Sequence, residues 1–204
     1  SVTGVQTCAL PIYKDKIISY LKKIGESSHK VNKIFDNLIL WSRLQTNSID
    51  FNPISCKLIT IAKNAIASIE VYANEKNIEI VNEIQKDEVV FCDMQLILVS
   101  LRNIISNAIK YSYPGNRVIL NAQNDKNVVR VSVKDFGVGI NKDKLGTLFK
   151  IGYQNLTKGT SNEDGYGLGL IIAKDFIEIN GGSLEVQSKE NQGTIFEFTL
   201  SEKI

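Results

Sequence analysis

Between Asp93 and Tyr111 the apolar residues Ile97, Leu101, Ile104 and Ala108 recur at steps of four and three, which puts them on one face of a helix about five turns long. A helix with one apolar face has to bury it against another layer, and the chain downstream supplies that layer. Val129, Val131 and Val133 alternate with Arg130, Ser132 and Lys134, the pattern of a strand with one face buried and the other in water. Arg117 to Gln123 precedes it, and the polar run Asn124-Asp125-Lys126-Asn127 between the two predicts a hairpin. A long amphipathic helix next to an antiparallel hairpin points to an α/β two-layer sandwich rather than a parallel doubly wound sheet.

The remaining elements suit that architecture. Leu58, Ile61, Ala62, Ala65, Ile69 and Tyr72 predict an amphipathic helix over Ser55 to Asn77. Two strands, Ile78 to Ile84 and Val89 to Cys92, lead to Asp93 as the N-cap of the long helix. A second helix is expected over Leu170 to Ile179, and a closing hairpin over Ser183 to Ser188 and Thr194 to Leu200. Upstream, Ile17, Leu21, Ile24, Val31, Phe35 and Leu38 form a heptad stripe that one helix cannot bury alone, so residues 13–47 read as one helix of a bundle. The polar cluster Leu44-Gln45-Thr46-Asn47-Ser48 and the breaker Pro53 place a domain boundary there, with residues 48–204 as the second unit.

Residues 2–12 show no periodicity, and translating a common short-read sequencing adapter gives the same run, Val-Thr-Gly-Val-Gln-Thr-Cys-Ala-Leu-Pro-Ile. Residues 1–12 are therefore set aside from the fold as an artefact, with the natural gene expected to continue upstream of Tyr13. Composition narrows the function. A formal charge of +2 gives no field to draw the chain onto nucleic acid or an anionic bilayer, so any phosphate must be held locally. Apolar runs fall well short of the roughly 20 residues of a membrane span. A membrane link is expected only through a missing N-terminal part, and this segment is expected in the cytoplasm. Cys8, Cys56 and Cys92 form no CxxC pair, which points to free thiols rather than zinc.

Three groups of residues carry chemistry. Asn103, Asn107 and Lys110 share the face of the long helix opposite its apolar stripe. Asparagine is a poor mid-helix residue, and two of them offer neutral oxygens to a hard cation, with an ammonium alongside for phosphate; an ordinary solvated face is the plain alternative. Asp135-Phe136-Gly137-Val138-Gly139 follows a strand, where a carboxylate can accept from an exocyclic amine and glycines let a ligand approach the backbone. Turn chemistry alone would also explain it. Gly165-Tyr166-Gly167-Leu168-Gly169-Leu170 opens a helix, and glycine amides at a helix N-terminus can cradle phosphate. It is neither a P-loop nor a dinucleotide fingerprint, since no Gly-Lys-Ser/Thr follows and the glycines are spaced GxGxG.

In this order the three groups resemble the N-box, G1 box and G2 box of the GHKL ATPase superfamily. Leu148-Phe149-Lys150 resembles its F-box, and Gly193-Thr194 its last glycine box. The pattern at Asn103 to Tyr111 is similar to that of sensor histidine kinases. The resemblance implies a Bergerat-type ATP-binding sandwich that uses ATP and Mg²⁺. Asn107 would ligate the metal, with Asn103 a possible second ligand, and Lys110 and Tyr111 would line the phosphate side. Asp135 would receive the adenine amine beside Gly137 and Gly139, and Thr194 would support the base. Gly165, Gly167, Leu168 and Gly169 would wrap the phosphates, and residues 141–163 would form a lid carrying Lys158. Tyr166 departs from the small hydroxyl residue usual at its position.

Residues 27–45 resemble the second helix of the family's dimerisation and phosphotransfer hairpin, which implies a homodimer through the bundle and a response-regulator receiver domain as partner. His29 is then a poor acceptor, because Lys30 follows it where an acidic residue is expected and Ile34 stands at a proline position. The acceptor is expected on a preceding helix. Two other classes stay open: a GHKL-type ATP hydrolase and a non-catalytic nucleotide-sensing module. The hydrolases resemble one another in having Glu where Asn103 stands, and an amide cannot take a proton from water near neutral pH.

Overall fold

The long helix is α3, Met94–Tyr111, in the computed structural model of the chain. Asp93 caps it, its Oδ1 accepting the amides of Gln95 at 3.0 Å and Leu96 at 3.2 Å. The structure describes residues 13–21, 24–25, 27–28, 31, 35, 39, 42–43, 46, 50–85, 88–150, 158–161, 163 and 167–202.

The chain divides into two compact units, Ser1–Thr46 and Asn47–Ile204. In the first, residues 13–21 are helical, as are the other described residues as far as Arg43. Ile17, Leu21, Ile24, Val31 and Phe35 of the heptad stripe are all exposed. Leu38 and His29 lie outside the described residues. Among the described residues, no helix is long and apolar enough to cross a membrane.

Among its described residues the second unit has seven strands: β1 Ile54–Lys57, β2 Glu79–Asn82, β3 Val89–Cys92, β4 Arg117–Asp125, β5 Val128–Asp135, β6 Leu184–Ser188 and β7 Thr194–Ser201. They form one sheet in the order β1-β3-β7-β5-β4-β2, with β6 also paired to β7. Every pair is antiparallel except β2 with β4. The other helices are α1 Leu58–Ala67, α2 Glu70–Glu75, the short α4 Lys142–Leu145 and α5 Leu168–Ile179. The α/β sandwich follows from alternation. Val118, Leu120, Val129, Val131, Val133, Phe196, Phe198 and Leu200 are buried, and so are Leu58, Ile61, Ile97, Leu101, Ile104 and Ile177 from the helices.

Several predicted boundaries move. The expected helix over Ser55 to Asn77 is three elements, because residues 54–57 pair with β3 as an edge strand and the helix breaks after Ala67. Ser68 makes the break: its Oγ donates to the Ala65 carbonyl at 2.7 Å, competing with the helix ladder. Ile69 and Ala73 are buried, whereas Tyr72, expected on the apolar face, is exposed. Strand β2 is shorter than predicted, because the Asn82 side chain accepts the Ile84 amide at 3.1 Å and turns the chain. The β4–β5 turn is tighter, reduced to Lys126 at φ 64° and Asn127. Helix α5 begins at Leu168 rather than Leu170, with Gly167 at φ 69° as its N-cap.

Candidate functional site

The C-terminal half of α3 is the spine of the site. Asn103 is buried, and its Nδ2 has no hydrogen-bond partner among the described residues. Its Oδ1 lies under the first turn of α5, where a Cβ built on Gly169 would stand 3.4 Å away. A buried amide donor left unpaired is costly unless a ligand satisfies it. Asn107, one turn on, is half-buried. Lys110 Nζ donates to Tyr111 Oη at 3.0 Å and lies 4.6 Å from the centre of that ring.

Asp135 ends β5 and is almost fully buried. Its Oδ1 accepts the amides of Gly137 at 2.9 Å and Thr194 at 3.2 Å. With both bonds on one oxygen, Oδ2 is left as the acceptor for a ligand donor. Burial pushes the Asp135 carboxyl up to about 6, against the two amides, which pull it down. Thr194 is buried, and its hydroxyl meets Ser188 Oγ at 2.9 Å. Ser188 donates to the Gly193 carbonyl and accepts from the Ile140 amide, so the hydrogen between the two hydroxyls comes from Thr194.

The glycines have a packing role as well. A Cβ on Gly137 would overlap the Tyr111 carbonyl, one on Gly139 (φ 67°) the Lys189 carbonyl, and one on Gly193 (φ 86°) the Asp135 carbonyl. Their absent side chains let backbone pack on backbone, which holds the loop after β5 against the end of α3 and the β6–β7 hairpin. Val138 N completes that contact by donating to the Tyr111 carbonyl at 3.1 Å.

This arrangement, a half-buried asparagine helix face beside a buried Asp and a helix opened by glycine, accompanies a match of residues 93–204 to the family described as histidine kinase-, DNA gyrase B-, and HSP90-like ATPase. The chain belongs to that ATPase family. One curated relative, the circadian input-output histidine kinase CikA of Synechocystis sp., is 31% identical over 180 residues, which cover 87% of this chain and 24% of that protein. The sensor histidine kinase WalK of Bacillus subtilis is 29% identical over 193 residues, 93% of this chain and 31% of that one. The chain thus spans about a quarter to a third of these relatives' length. The solved catalytic domain of the histidine kinase ThkA superposes with a TM-score of 0.65 at 25% identity, over 74% of this chain and 96% of that one.

Within the ATPase-family fold the expected residues fall into two groups. Asp135, Gly137, Gly139 and Thr194 gather at the ends of β5 and β7, while Asn103 and Gly169 meet where α3 and α5 cross. The Tyr111 carbonyl joins the groups. Leu168 and Gly167 start α5 and are half-exposed. Lys158 is exposed, next to Gly159, which packs on Lys110. Gly165 and Tyr166 lie outside the described residues. Asn103 does not share a solvated face with Lys110, since α5 covers it.

Three residues are not singled out as site residues from the sequence: Ser188, Lys76 and Glu163. Lys76 Nζ donates at 2.6 Å to both the Lys110 carbonyl and Glu163 Oε1. Burial alone would raise the Glu163 carboxyl, but the bonds from Lys76 and the backbone hold it below the usual range. The only signal a single sequence could give is a lysine flanked by apolar Ala73 and Ile78, which does not name its partner.

Proposed function

We propose that this chain is the catalytic ATP-binding part of a sensor histidine kinase. It takes Mg-ATP and passes the γ-phosphoryl group to a histidine on another helix of a homodimeric bundle, for relay to a response-regulator receiver domain. The observation that carries this reading is Asn103. Where a family hydrolase has a carboxylate to activate water, this chain has a buried amide whose Nδ2 lacks a partner among the described residues. An amide cannot serve as that base, whereas it can donate to a phosphate or a bound water.

The residues fit the implied ligands. Asp135 Oδ2 would accept the adenine amine, held in place by the Gly137 and Thr194 amides on Oδ1. The carbonyl oxygens of Asn107 and Asn103 suit a hard cation. The first-turn amides of α5, after Gly167, have no intrahelical acceptors and suit phosphate oxygens, with Lys110 and Lys158 as flanking cations. Magnesium, when bound, would neutralise phosphate charge, so catalysis rests on positioning and electrostatics.

Incubation of the chain with γ-labelled ATP tests the reading. The expected result is saturable Mg-ATP binding without self-labelling, and with little phosphate release. Stable acid-labile label on His29 would overturn the assignment of the acceptor to another helix. Rapid ATP hydrolysis would instead favour the hydrolase reading.

A further inference from the structure

Lys76 follows α2, and its side chain is 6% exposed. An ammonium removed from water is expensive unless its hydrogens are placed, and its two acceptors here come from distant parts of the chain. One is the Lys110 carbonyl in the last turn of α3; the other is Glu163 Oε1. The last turn of a helix has carbonyls without intrahelical partners and a negative dipole end, so a cation suits it. Two of these carbonyls are taken up by other segments. Tyr111 O receives Val138 N, and Lys110 O receives both Lys76 Nζ and the Thr160 amide, the latter at 3.1 Å.

Glu163 closes the other side. Its carbonyl accepts the Gly159 amide at 2.9 Å, and its Oε2 accepts the Ser161 amide at 2.8 Å, so Glu163 gathers the amides of Gly159 and Ser161 onto one residue. Thr160 Oγ1 donates to the Ser112 carbonyl. Gly159 sits so close to Lys110 and Glu163 that a Cβ would overlap both. Lys76 is thus the one ammonium among the described residues that bridges Glu163 to α3, and Glu163 stands four residues before Gly167, the N-cap of α5.

We propose that Lys76 is a positioning residue for the phosphate side of the nucleotide site: through Glu163 it fixes residues 159–161 to the end of α3, and so sets the distance of Gly167 and Lys158 from Asn107 and Lys110. The proposal rests on the nucleotide-binding reading above. It separates the two ends of the site, since Asp135 and Thr194 are held by contacts that do not pass through Lys76.

The test compares wild type, Lys76→Met, Lys76→Arg, Glu163→Gln and the double variant Lys76→Met/Glu163→Gln. Calorimetry measures Mg-ATP, and NMR shift titration measures adenosine. Lys76→Met and Glu163→Gln should each weaken Mg-ATP binding by about fivefold or more and leave adenosine within about twofold. The double variant should be no worse than Lys76→Met within about twofold, and Lys76→Arg should recover most of the loss. Amide exchange at Gly159 and Thr160 should speed up by about tenfold in Lys76→Met and Glu163→Gln, with Leu101 to Ile105 unchanged. Equal loss of Mg-ATP and adenosine, or unchanged exchange at Gly159 and Thr160 in Glu163→Gln, would overturn the proposal. A wild type that binds neither ligand would overturn the nucleotide reading itself and this proposal with it, whereas a wild type that binds Mg-ATP and variants that bind it equally would overturn the positioning role alone.

Discussion

The Thr194 amide donates to Asp135 Oδ1 at 3.2 Å, tying the start of β7 to the end of β5 at the point where the sheet meets the candidate nucleotide site. The bond fixes which oxygen of Asp135 is left for a ligand. It also keeps a carboxylate buried in a protein that gains no ion pair from it among the described residues, and that cost has measurable consequences.

The Asp135 carboxyl ionises near 3.8 when unfolded and near 6 when folded. Between those values the folded chain holds a proton that the unfolded chain has released, so stability falls as pH rises. The stabilisation is fully present below pH 3.8 and is lost as pH passes about 6, a difference on the order of 3 kcal/mol. Asp135→Asn keeps an oxygen for Gly137 and Thr194 but carries no charge. Without nucleotide it should melt about 6–12 °C above wild type at pH 8, and close to wild type at pH 4. Thermal melts at the two pH values decide this; a gap independent of pH would count against a buried carboxylate.

Nucleotide affinity should show the opposite preference. Oδ1 is committed to two amides, so the proton that Asp135 takes up near pH 6 belongs on Oδ2, turning the acceptor offered to adenine into a donor. Mg-ATP should bind roughly tenfold more weakly at pH 5 than at pH 7.5. Asp135→Asn should bind about 1.5–3 kcal/mol more weakly at pH 7.5, and without that pH dependence. Calorimetric titrations of both proteins across this range provide the check.

Two glycine substitutions should separate packing from binding. Gly137→Ala drives a Cβ into the Tyr111 carbonyl, backbone that cannot rotate away, and should cost about 3 kcal/mol or more. Gly169→Ala puts its Cβ in ordinary contact with Asn103 and replaces glycine inside a helix, which should stabilise the fold by about 0.5–1 kcal/mol. Urea unfolding of the two variants compares them, and a larger loss for Gly169→Ala would contradict the packing described.

Asp93→Ala removes three acceptor bonds together: those of Gln95 and Leu96 at the start of α3, and that of the Asn52 amide, which reaches Oδ2 at 3.0 Å. A cap alone is worth about 1 kcal/mol, so the loss here should reach about 2 kcal/mol. Asp93→Asn, which retains an acceptor oxygen, should lose less than half as much in the same urea experiment.

The sequence by itself determined the features that one element encodes within its own length. The steps of four and three from Ile97 to Ala108, the cap at Asp93 and the alternation through Val129, Val131 and Val133 are all local, and the structure has them where the pattern puts them. Short apolar runs were less decisive: residues 55–57 read as the start of a helix, and only pairing with β3 makes them part of a strand. Tertiary structure alone decided which polar groups leave water. Asn103 looks like a solvated helix residue until Gly169 of α5 lies over it, Ser188 has no motif to announce its bond to Thr194, and Lys76 finds Glu163 across 87 positions of sequence. Periodicity follows from backbone geometry within a single helix or strand, whereas the burial of a polar group and the partner that satisfies it depend on which distant surface folds over it.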